Sequence, residues 1–207
     1  MEVDNNKKNP LRIDRVYSST SKLIQKLSNN LELSSTKAKL ASLRKATSTN
    51  SSNNIEAWSF VFEDIDKEFL GKSSKLTYEE RAIISALELY AIHQQGQHES
   101  VDYHDGEYWE NIGYSLASLR SSENKNSIDR RFNAMITSST FEELLHHLRQ
   151  MIKLLKSNSK NTRINYSRLA KDLYKFLLGY QEDIRLMWAR TYYGRNIKVE
   201  DEIIEEN

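Results

Sequence analysis

Apolar residues recur at three- and four-residue intervals along most of this chain, a spacing that places them on one face of an α-helix. The clearest run lies between residues 141 and 155, where seven apolar side chains share a face. Weaker runs of the same kind predict further helices. The predicted helices cover 11–29, a stretch capped by Ser34 or Ser35, 55–70, 82–92, 109–120, a stretch capped by Ser127, 141–155, 166–178 and a last stretch from about 181.

Three of these helices have recognisable start signals. Thr77 with Glu80, and Thr140 with Glu143, have the T-x-x-E spacing of a capping box. In that motif each side chain accepts a hydrogen bond from a backbone N–H group that the helix leaves unpaired. Asn165 stands directly before another apolar run, where its side chain can accept a hydrogen bond from the first turn. These signals predict helix starts at 78, 141 and 166.

The fold class follows from the helical periodicity and from what interrupts it. Pro10 is the sole proline, so almost the whole chain lacks the strongest helix breaker. No segment alternates convincingly as a strand would. We therefore predict an all-α fold, a single-chain helical bundle of about eight or nine helices in two packed sub-bundles. The predicted divisions are a disordered arm at 1–10, an N-terminal helical sub-bundle with an acidic middle at 11–120, a basic C-terminal sub-bundle at 121–198 and an acidic tail at 199–207.

Charge is unevenly distributed, although the net charge is only +1. Residues 1–55 carry 10 Lys/Arg against 4 Asp/Glu, a net of +6, and residues 56–112 carry 4 against 13, a net of −9. Residues 113–198 carry 16 against 7, a net of +9, and the tail has 5 acids and no base. The partition predicts that a polyanion meets the two basic ends of the fold rather than its middle.

Composition argues against a membrane or secreted protein. No apolar run approaches the roughly 18 residues that cross a bilayer, and the first ten residues have no apolar core of the kind a signal peptide needs. The chain has no cysteine, so it can form neither a disulfide nor a thiolate metal site. We predict a cytoplasmic protein with no membrane partner.

Catalytic motifs are missing. The adjacent His146 and His147 diverge by about 100° on a helix and cannot chelate one ion together. The chain has no H-E-x-x-H, P-loop, G-x-G-x-x-G or G-x-S-x-G sequence. We therefore predict that the protein is not an enzyme and has no catalytic residues.

A metal site is the alternative that residues 93–107 leave open. Imidazole and carboxylate groups so close in sequence can bind zinc or manganese, and a His-Asp pair resembling that of metal-dependent phosphohydrolases occurs at 104–105. The other ligands of such enzymes, at helical spacing, are missing. We predict no metal and no cofactor, and keep a metal-dependent hydrolase as a third hypothesis. The residues concerned are His93, His98, His104, Asp102, Asp105 and Glu107.

Basic residues give the stronger signal. On two consecutive predicted helices they recur at three- and four-residue steps, on the side opposite the apolar face. If the helices are neighbours, the stripes merge into one basic surface that suits a polyanion. An ordinary solvated helix face is the alternative reading. The stripe residues are His146, Arg149, Lys153 and Lys156 on the first helix and Arg168, Lys171 and Lys175 on the second.

Aromatic residues near the end of the chain offer a second possibility. Tyr192 and Tyr193 lie beside Arg190 and Arg195, and such tyrosines can stack on unpaired bases. They can equally pack against the end of a helix. Both interpretations are open from the sequence.

An ordered set of motifs runs through the chain. They are TKAKLASLRKA (36–46), ALELYAIHQQG (86–96), NIGYSLASL (111–119), IDRRFNAMITSSTFEELLHHLRQMIKLLK (128–156), INYSRLAKDLYKFL (164–177) and IRLMWARTYY (184–193). Together they resemble the CasB family, the small subunit of the type I-E CRISPR Cascade complex. Asn165 and Phe176 stand where that family often has aspartate and tryptophan.

The resemblance implies an all-helical, non-enzymatic subunit, present as a pair, that helps to hold the R-loop and its displaced non-target strand in antiviral defence. The implied partners are the backbone filament subunit, the large subunit, a second copy of the chain, CRISPR RNA and the target and non-target DNA. Together with the basic stripes, it predicts a set of nucleic-acid contacts. They are Arg130 and Arg131 first, then Arg149, Lys153, Arg44, Lys45, Arg168 and Arg190.

A different function class fits the same stripes. A helical adaptor would use them to bind an acidic protein partner, and the segment of net −9 could serve a second copy in that way. Retardation of single-stranded DNA discriminates the two hypotheses.

Overall fold

A computed structural model describes residues 8–46, 55–103, 110–158 and 162–194. In this part of the chain there are nine α-helices and no sheet, apart from one isolated bridge between Asp102 and Ile164. The predicted all-α class is confirmed. The helices are α1 (Lys8–Ser28), α2 (Ser34–Ala46), α3 (Ile55–Asp64), α4 (Tyr78–Gln94), α5 (Ile112–Ala117), α6 (Lys125–Ile136), α7 (Phe141–Asn158), α8 (Tyr166–Leu177) and α9 (Gln181–Gly194), with a 3₁₀ turn (Lys67–Phe69) after α3.

Helix α4 is the centre of the bundle. Every residue from Ala82 to Gln94 is buried, because α1, α2, α7 and α8 all pack against it. Its start is the predicted capping box: the Thr77 hydroxyl accepts from the Glu80 backbone N–H at 3.1 Å, and the Glu80 carboxylate accepts from that of Thr77 at 2.7 Å. The two bonds satisfy backbone N–H groups at the start of the helix that have no partner within it.

Helix α7 follows its sequence pattern most closely. Thr140 caps it, accepting a hydrogen bond from Glu143 N at 3.2 Å, but the Glu143 carboxylate accepts from Ser139 N rather than from Thr140 N. The apolar stripe faces inward along its whole length, so the opposite stripe is left for solvent or a partner. All seven stripe residues are buried: Phe141, Leu144, Leu145, Leu148, Met151, Ile152 and Leu155.

The predicted boundaries of other helices shift by a few residues. Helix α1 begins at Lys8, inside the predicted arm, because Pro10 is tolerated in a first turn. Ser127 is not a cap: α6 begins at Lys125 after Asn124, whose carboxamide accepts from Ser121 N. Asn165 does cap α8, accepting from Arg168 N at 2.8 Å.

Two predicted helices are shorter than expected. The predicted helix 55–70 ends at Asp64, because the Asp66 side chain caps the 3₁₀ turn that follows. The predicted helix 109–120 contracts to α5, which the Asn111 side chain caps by accepting from Gly113 N at 2.9 Å.

One apolar core joins the two predicted sub-bundles. Helix α8 packs against α1 and α4, and α5 packs against α9, so the segments before and after residue 120 bury their faces together. The predicted boundary between the sub-bundles at residue 120 was drawn from the sequence and its charge. That the two sides are separate sub-bundles stays a prediction. The predicted tail at 199–207 lies outside the described residues.

Helices α5 and α9 meet backbone to backbone at Gly113. A Cβ atom there would lie 2.3 Å from the carbonyl oxygen of Trp188 and 2.9 Å from Oδ1 of Asn111. The Asn111 amide ties the pair further, donating to the Met187 carbonyl at 3.2 Å and to the Thr191 hydroxyl at 2.8 Å. This contact fixes α9 in place, and only glycine fits it.

Candidate nucleic-acid interface

Four cations from two helices converge on one open cavity of about 680 Å³. Arg44 comes from the last turn of α2, and Arg149, Lys153 and Lys156 come from the outward stripe of α7. Helix α4 supplies the floor between them, because both α2 and α7 pack on it. We call these four residues and their cavity the cationic groove; its other lining residues are Ile92, Gln95 and Ser157.

Three cations of the groove, Arg44, Arg149 and Lys156, are partly withdrawn from water. Burial lowers the pKa of Lys156, and the nearby Arg44 charge lowers it further. Burial also lowers the pKa of Arg44, whose guanidinium donates to the Ala91 carbonyl at 3.4 Å. The Lys156 ammonium donates to Oε1 of Gln95 at 3.2 Å. Like charges held together in a partly dry site favour binding of an anion, which offsets their repulsion.

One buried carboxylate, which does not line the cavity, pairs with a cation of the groove. Glu88 on α4 is 8% exposed, and its Oε2 lies 3.4 Å from Nη2 of Arg149. Burial raises the pKa of Glu88 to about 7, against the opposing pull of Arg149. Near neutral pH this carboxyl is therefore only partly ionised, and it offsets less than one unit of the positive charge of the groove.

A second buried titratable group lies on the same helix. His93 is 1% exposed, and its Nδ1 lies 3.0 Å from the Tyr166 hydroxyl. Burial lowers the pKa of His93 to about 4, and the charge of Lys156 acts in the same direction. The ring is therefore neutral in the folded protein at neutral pH.

Glu88→Gln is expected to stabilise the protein at pH 8 by up to about 3 kcal/mol and to make it more sensitive to acid. The raised pKa of Glu88 makes its contribution to stability grow as pH falls from about 7 to 4.5. The lowered pKa of His93 acts oppositely, since its contribution is lost as pH falls from 6.5 to about 4. Urea unfolding at several pH values measures both slopes. Equal acid sensitivity in the variant and the wild type would contradict the assignment.

Three basic side chains of α1 are neutralised by carboxylates of the acidic middle segment, whereas Lys22 on the same helix is exposed. Arg15 on α1 pairs with Asp66 and with Glu68, and Lys26 pairs with Asp64. Arg12 pairs with Glu79 in the same manner, and Lys171 of α8 pairs with Asp14 at 2.7 Å. From the described N-terminal segment, α2 contributes to the cationic groove, where Arg44 lies with Lys45 exposed beside it.

Three other predicted contacts lie apart from the cationic groove. Arg130 and Arg131 are exposed on α6, and Arg190 is exposed on α9. None of the three lines the groove or forms an ion pair with another described residue. Arg168 is already engaged, since its guanidinium lies 3.1 Å from the fully buried Asp172 and also contacts the Met187 sulfur. The structure thus brings together Arg44, Arg149 and Lys153 from the predicted set.

Tyr192 is not available for stacking on a base. Its ring is fully buried and stacks on Phe132 with the ring centroids 3.7 Å apart, and its hydroxyl donates to Asp129 at 2.8 Å. Tyr193 is 43% exposed but meets Phe132 edge-on, and its hydroxyl donates to Asn133. The pair packs the end of α9 against α6, which settles the two interpretations in favour of packing.

The histidines give no metal centre in the part of the chain that is described. His146 is exposed and its ring meets that of His147 edge-on at 5.5 Å. No group of three potential ligands occurs among the described residues. The predicted candidates His104, Asp105 and Glu107 lie outside them. No helix within the described ranges is both long and apolar enough to cross a membrane.

Two residues, one lining the groove and one paired with it, were absent from the predicted contacts. Lys156 was part of the predicted stripe three residues after Lys153, but it was not among the predicted contacts. Glu88 had no such signal, because only the tertiary packing of α4 against α7 brings its carboxylate to Arg149.

Comparisons with known proteins identify the relatives of this chain. The family model described as CRISPR-associated protein Cse2 matches residues 39–193. No curated protein matches the chain. CasB from Thermobifida fusca has the same fold, with a TM-score of 0.69 and 22% identity over 86% of this chain and 98% of that one. CasB from Thermus thermophilus gives a TM-score of 0.60 and 20% identity over 85% and 98%, and CasB from M. ruber gives 0.60 and 23% over 83% and 93%.

Proposed function

We propose a function from one established premise: this chain belongs to the CRISPR-associated protein Cse2 family, the CasB small subunit of type I-E Cascade. Members of the family are Cascade subunits. On this basis the protein is a non-catalytic small subunit that binds nucleic acid through its basic helix faces. In the assembled complex it stabilises the R-loop and the displaced non-target strand during antiviral defence.

The observation that carries the proposal is the cationic groove. Four cations meet in one cavity, and one of them, Arg149, pairs with the buried Glu88. Phosphate groups are the anions that such clusters of arginine and lysine bind. The groove reads no sequence by itself, because contacts to phosphates position a strand without identifying its bases. That suits a subunit that holds whatever strand the guide displaces.

Modest binding energy is enough for this role. The exchange of a DNA duplex for an RNA–DNA heteroduplex is nearly balanced, as is described for another RNA-guided effector, so protein contacts to the backbone can tip it. A few phosphate contacts on the displaced strand would slow its return to the duplex. The protein then acts on the lifetime of the R-loop rather than on its sequence.

The proposed partners follow from membership of Cascade. They are the backbone filament and large subunits, a second copy of this chain, CRISPR RNA, and the target and non-target DNA strands. We place the complex in the cytoplasm. Co-purification of the chain with the other Cascade subunits and a guide RNA tests the assembly directly.

Retardation of single-stranded DNA by the full chain tests the strand-binding part. With three or four phosphates in the groove, the logarithm of the binding constant should fall with that of salt concentration with a slope of about −2 to −3. No retardation at micromolar protein and low salt would favour the alternative, an adaptor whose basic stripes bind an acidic protein.

Arg130→Glu combined with Arg131→Glu is expected to weaken single-strand binding by about threefold to tenfold and to shorten the R-loop lifetime in the assembled complex. Both side chains are exposed on α6, so the melting temperature should not change. Unchanged binding at low salt removes these two residues from the proposal and leaves the cationic groove in it.

A further inference from the structure

A second, smaller cavity opens next to the cationic groove. Its volume is about 310 Å³, and it lies between α2 and the turn that follows α4. Leu31 and Leu40 form its apolar wall, and Gln97 and His98 lie at its polar edge. Arg44 and Gln95 line both cavities, so the two adjoin each other. We call this cavity the side pocket.

The charges around the side pocket differ from those in the groove. Besides Arg44, the side pocket is lined by one further cation, Lys37. The Lys37 ammonium lies 3.0 Å from the Glu32 carboxylate, which also lines the pocket. That pairing, together with the pull of His98, holds the pKa of Glu32 below its usual range, so the carboxylate is ionised. An ionised carboxylate disfavours a second phosphate at this place. The pocket suits a neutral group with one apolar face and a hydrogen-bonding edge.

The turn that carries the polar edge is held rigidly. Gln94 is 3% exposed, and its amide nitrogen donates to the carbonyls of Gln97 at 3.2 Å and Glu99 at 2.8 Å. Its amide oxygen accepts from Val101 N at 3.0 Å. Gly96 takes the left-handed conformation that closes the turn, with φ of +78°. The backbone is thus fixed in advance while the side chains of Gln97 and His98 line the cavity, which lowers the entropic cost of binding.

We propose that the side pocket takes one unpaired base of the strand whose phosphates lie in the cationic groove, an inference that rests on the proposed function. The phosphate lies among Arg44, Lys153 and Lys156, and Arg44 stands at the junction where the guanidinium plane can stack on the base. Leu31 and Leu40 cover one part of the base, and Gln97 and His98 hydrogen-bond its edge. A cavity of this size is at the lower end of ligand pockets, as a single base requires.

An abasic sugar-phosphate chain distinguishes binding of a base in the side pocket from binding of phosphates alone. The full chain is titrated with a single-stranded oligonucleotide of about twelve residues and with an abasic sugar-phosphate chain of the same length. The wild-type protein should bind the base-containing strand at least about fivefold more tightly. Gln97→Ala with His98→Ala should abolish that preference and leave the affinity for the abasic chain unchanged.

Two glutamines on remote helices provide the matched control. Gln25→Ala with Gln181→Ala removes side-chain amides from α1 and α9 outside both cavities, and it should keep the wild-type preference. Equal binding of the two chains by the wild type, or a preference that survives in the Gln97 and His98 variant, overturns the side pocket while the groove stands. Binding of neither chain overturns the proposed strand binding itself.

Discussion

Replacing Lys153 and Lys156 together by glutamate is expected to weaken single-stranded DNA binding by about a hundredfold at moderate salt. Each substitution removes one positive charge and adds a negative one within reach of a phosphate. At about 5 Å in a water-like medium, the interaction of one unit charge with a phosphate is worth roughly 0.8 kcal/mol. The two substitutions together change the charge by four units, so the expected loss of binding free energy is roughly 3 kcal/mol. The salt dependence should flatten in parallel, because fewer counterions are released.

The fold should survive this change. Lys153 is exposed, and the Lys156 ammonium donates its hydrogen bond to Gln95 at the surface. Arg149 is left in place deliberately, since its removal would strand the buried Glu88 without a partner. Fluorescence anisotropy with a labelled oligonucleotide measures the affinity, and circular dichroism measures the melting temperature.

A matched charge reversal elsewhere distinguishes the groove from net charge. Lys72→Glu with Lys75→Glu changes the charge by the same amount on the exposed turn before α4. Its effect on affinity should be small, because screened charges far from the strand contribute little. If the two pairs of substitutions weaken binding equally, the groove has no special role.

Gly113→Ala is expected to destabilise the protein by about 3 kcal/mol and to lower its melting temperature by about 10 °C. The new Cβ would meet the Trp188 carbonyl at 2.3 Å, so α5 and α9 must separate. Their separation also stretches the bonds from the Asn111 amide to Met187 and Thr191. Helix propensity alone predicts that this substitution stabilises the protein, since alanine favours a helix by about 1 kcal/mol over glycine.

Gly194→Ala is the control for this substitution. Gly194 is the last residue of α9, and a Cβ atom there meets nothing within 4 Å. The melting temperature of this variant should stay equal to that of the wild type or rise slightly. A Gly113→Ala protein as stable as the wild type would mean that α5 and α9 do not approach as closely as described.

The sequence predicted those parts of the fold that depend on local patterns. The start and the buried face of α7 were predicted correctly, because its apolar spacing and Thr140 act within a few turns. Helix α6 was misjudged at Ser127, because Asn124 bonds back to Ser121 in a turn that has no strong sequence signature. The close approach at Gly113 depends on the position of α9, which no local pattern specifies.

The candidate site was predictable only in part, for the same reason. The stripe of Arg149 and Lys153 followed from helical spacing. Tertiary packing decides the rest: it brings Arg44 of α2 into the groove, pairs Arg15 with Asp66 and buries Tyr192. Charge counts along the chain could not show that its basic start and acidic middle pair with each other.

Helix α4 leaves little freedom for evolutionary change, because no face between Ala82 and Gln94 is turned to water. A substitution there must preserve both the volume and the buried polar bonds. Substitutions are therefore tolerated mainly on the outward faces of the surrounding helices, among them α2 and α7, which carry the groove cations. Proteins with this architecture can change their charged surface residues while the core stays constant. They can thus adapt to new assemblies without a new fold.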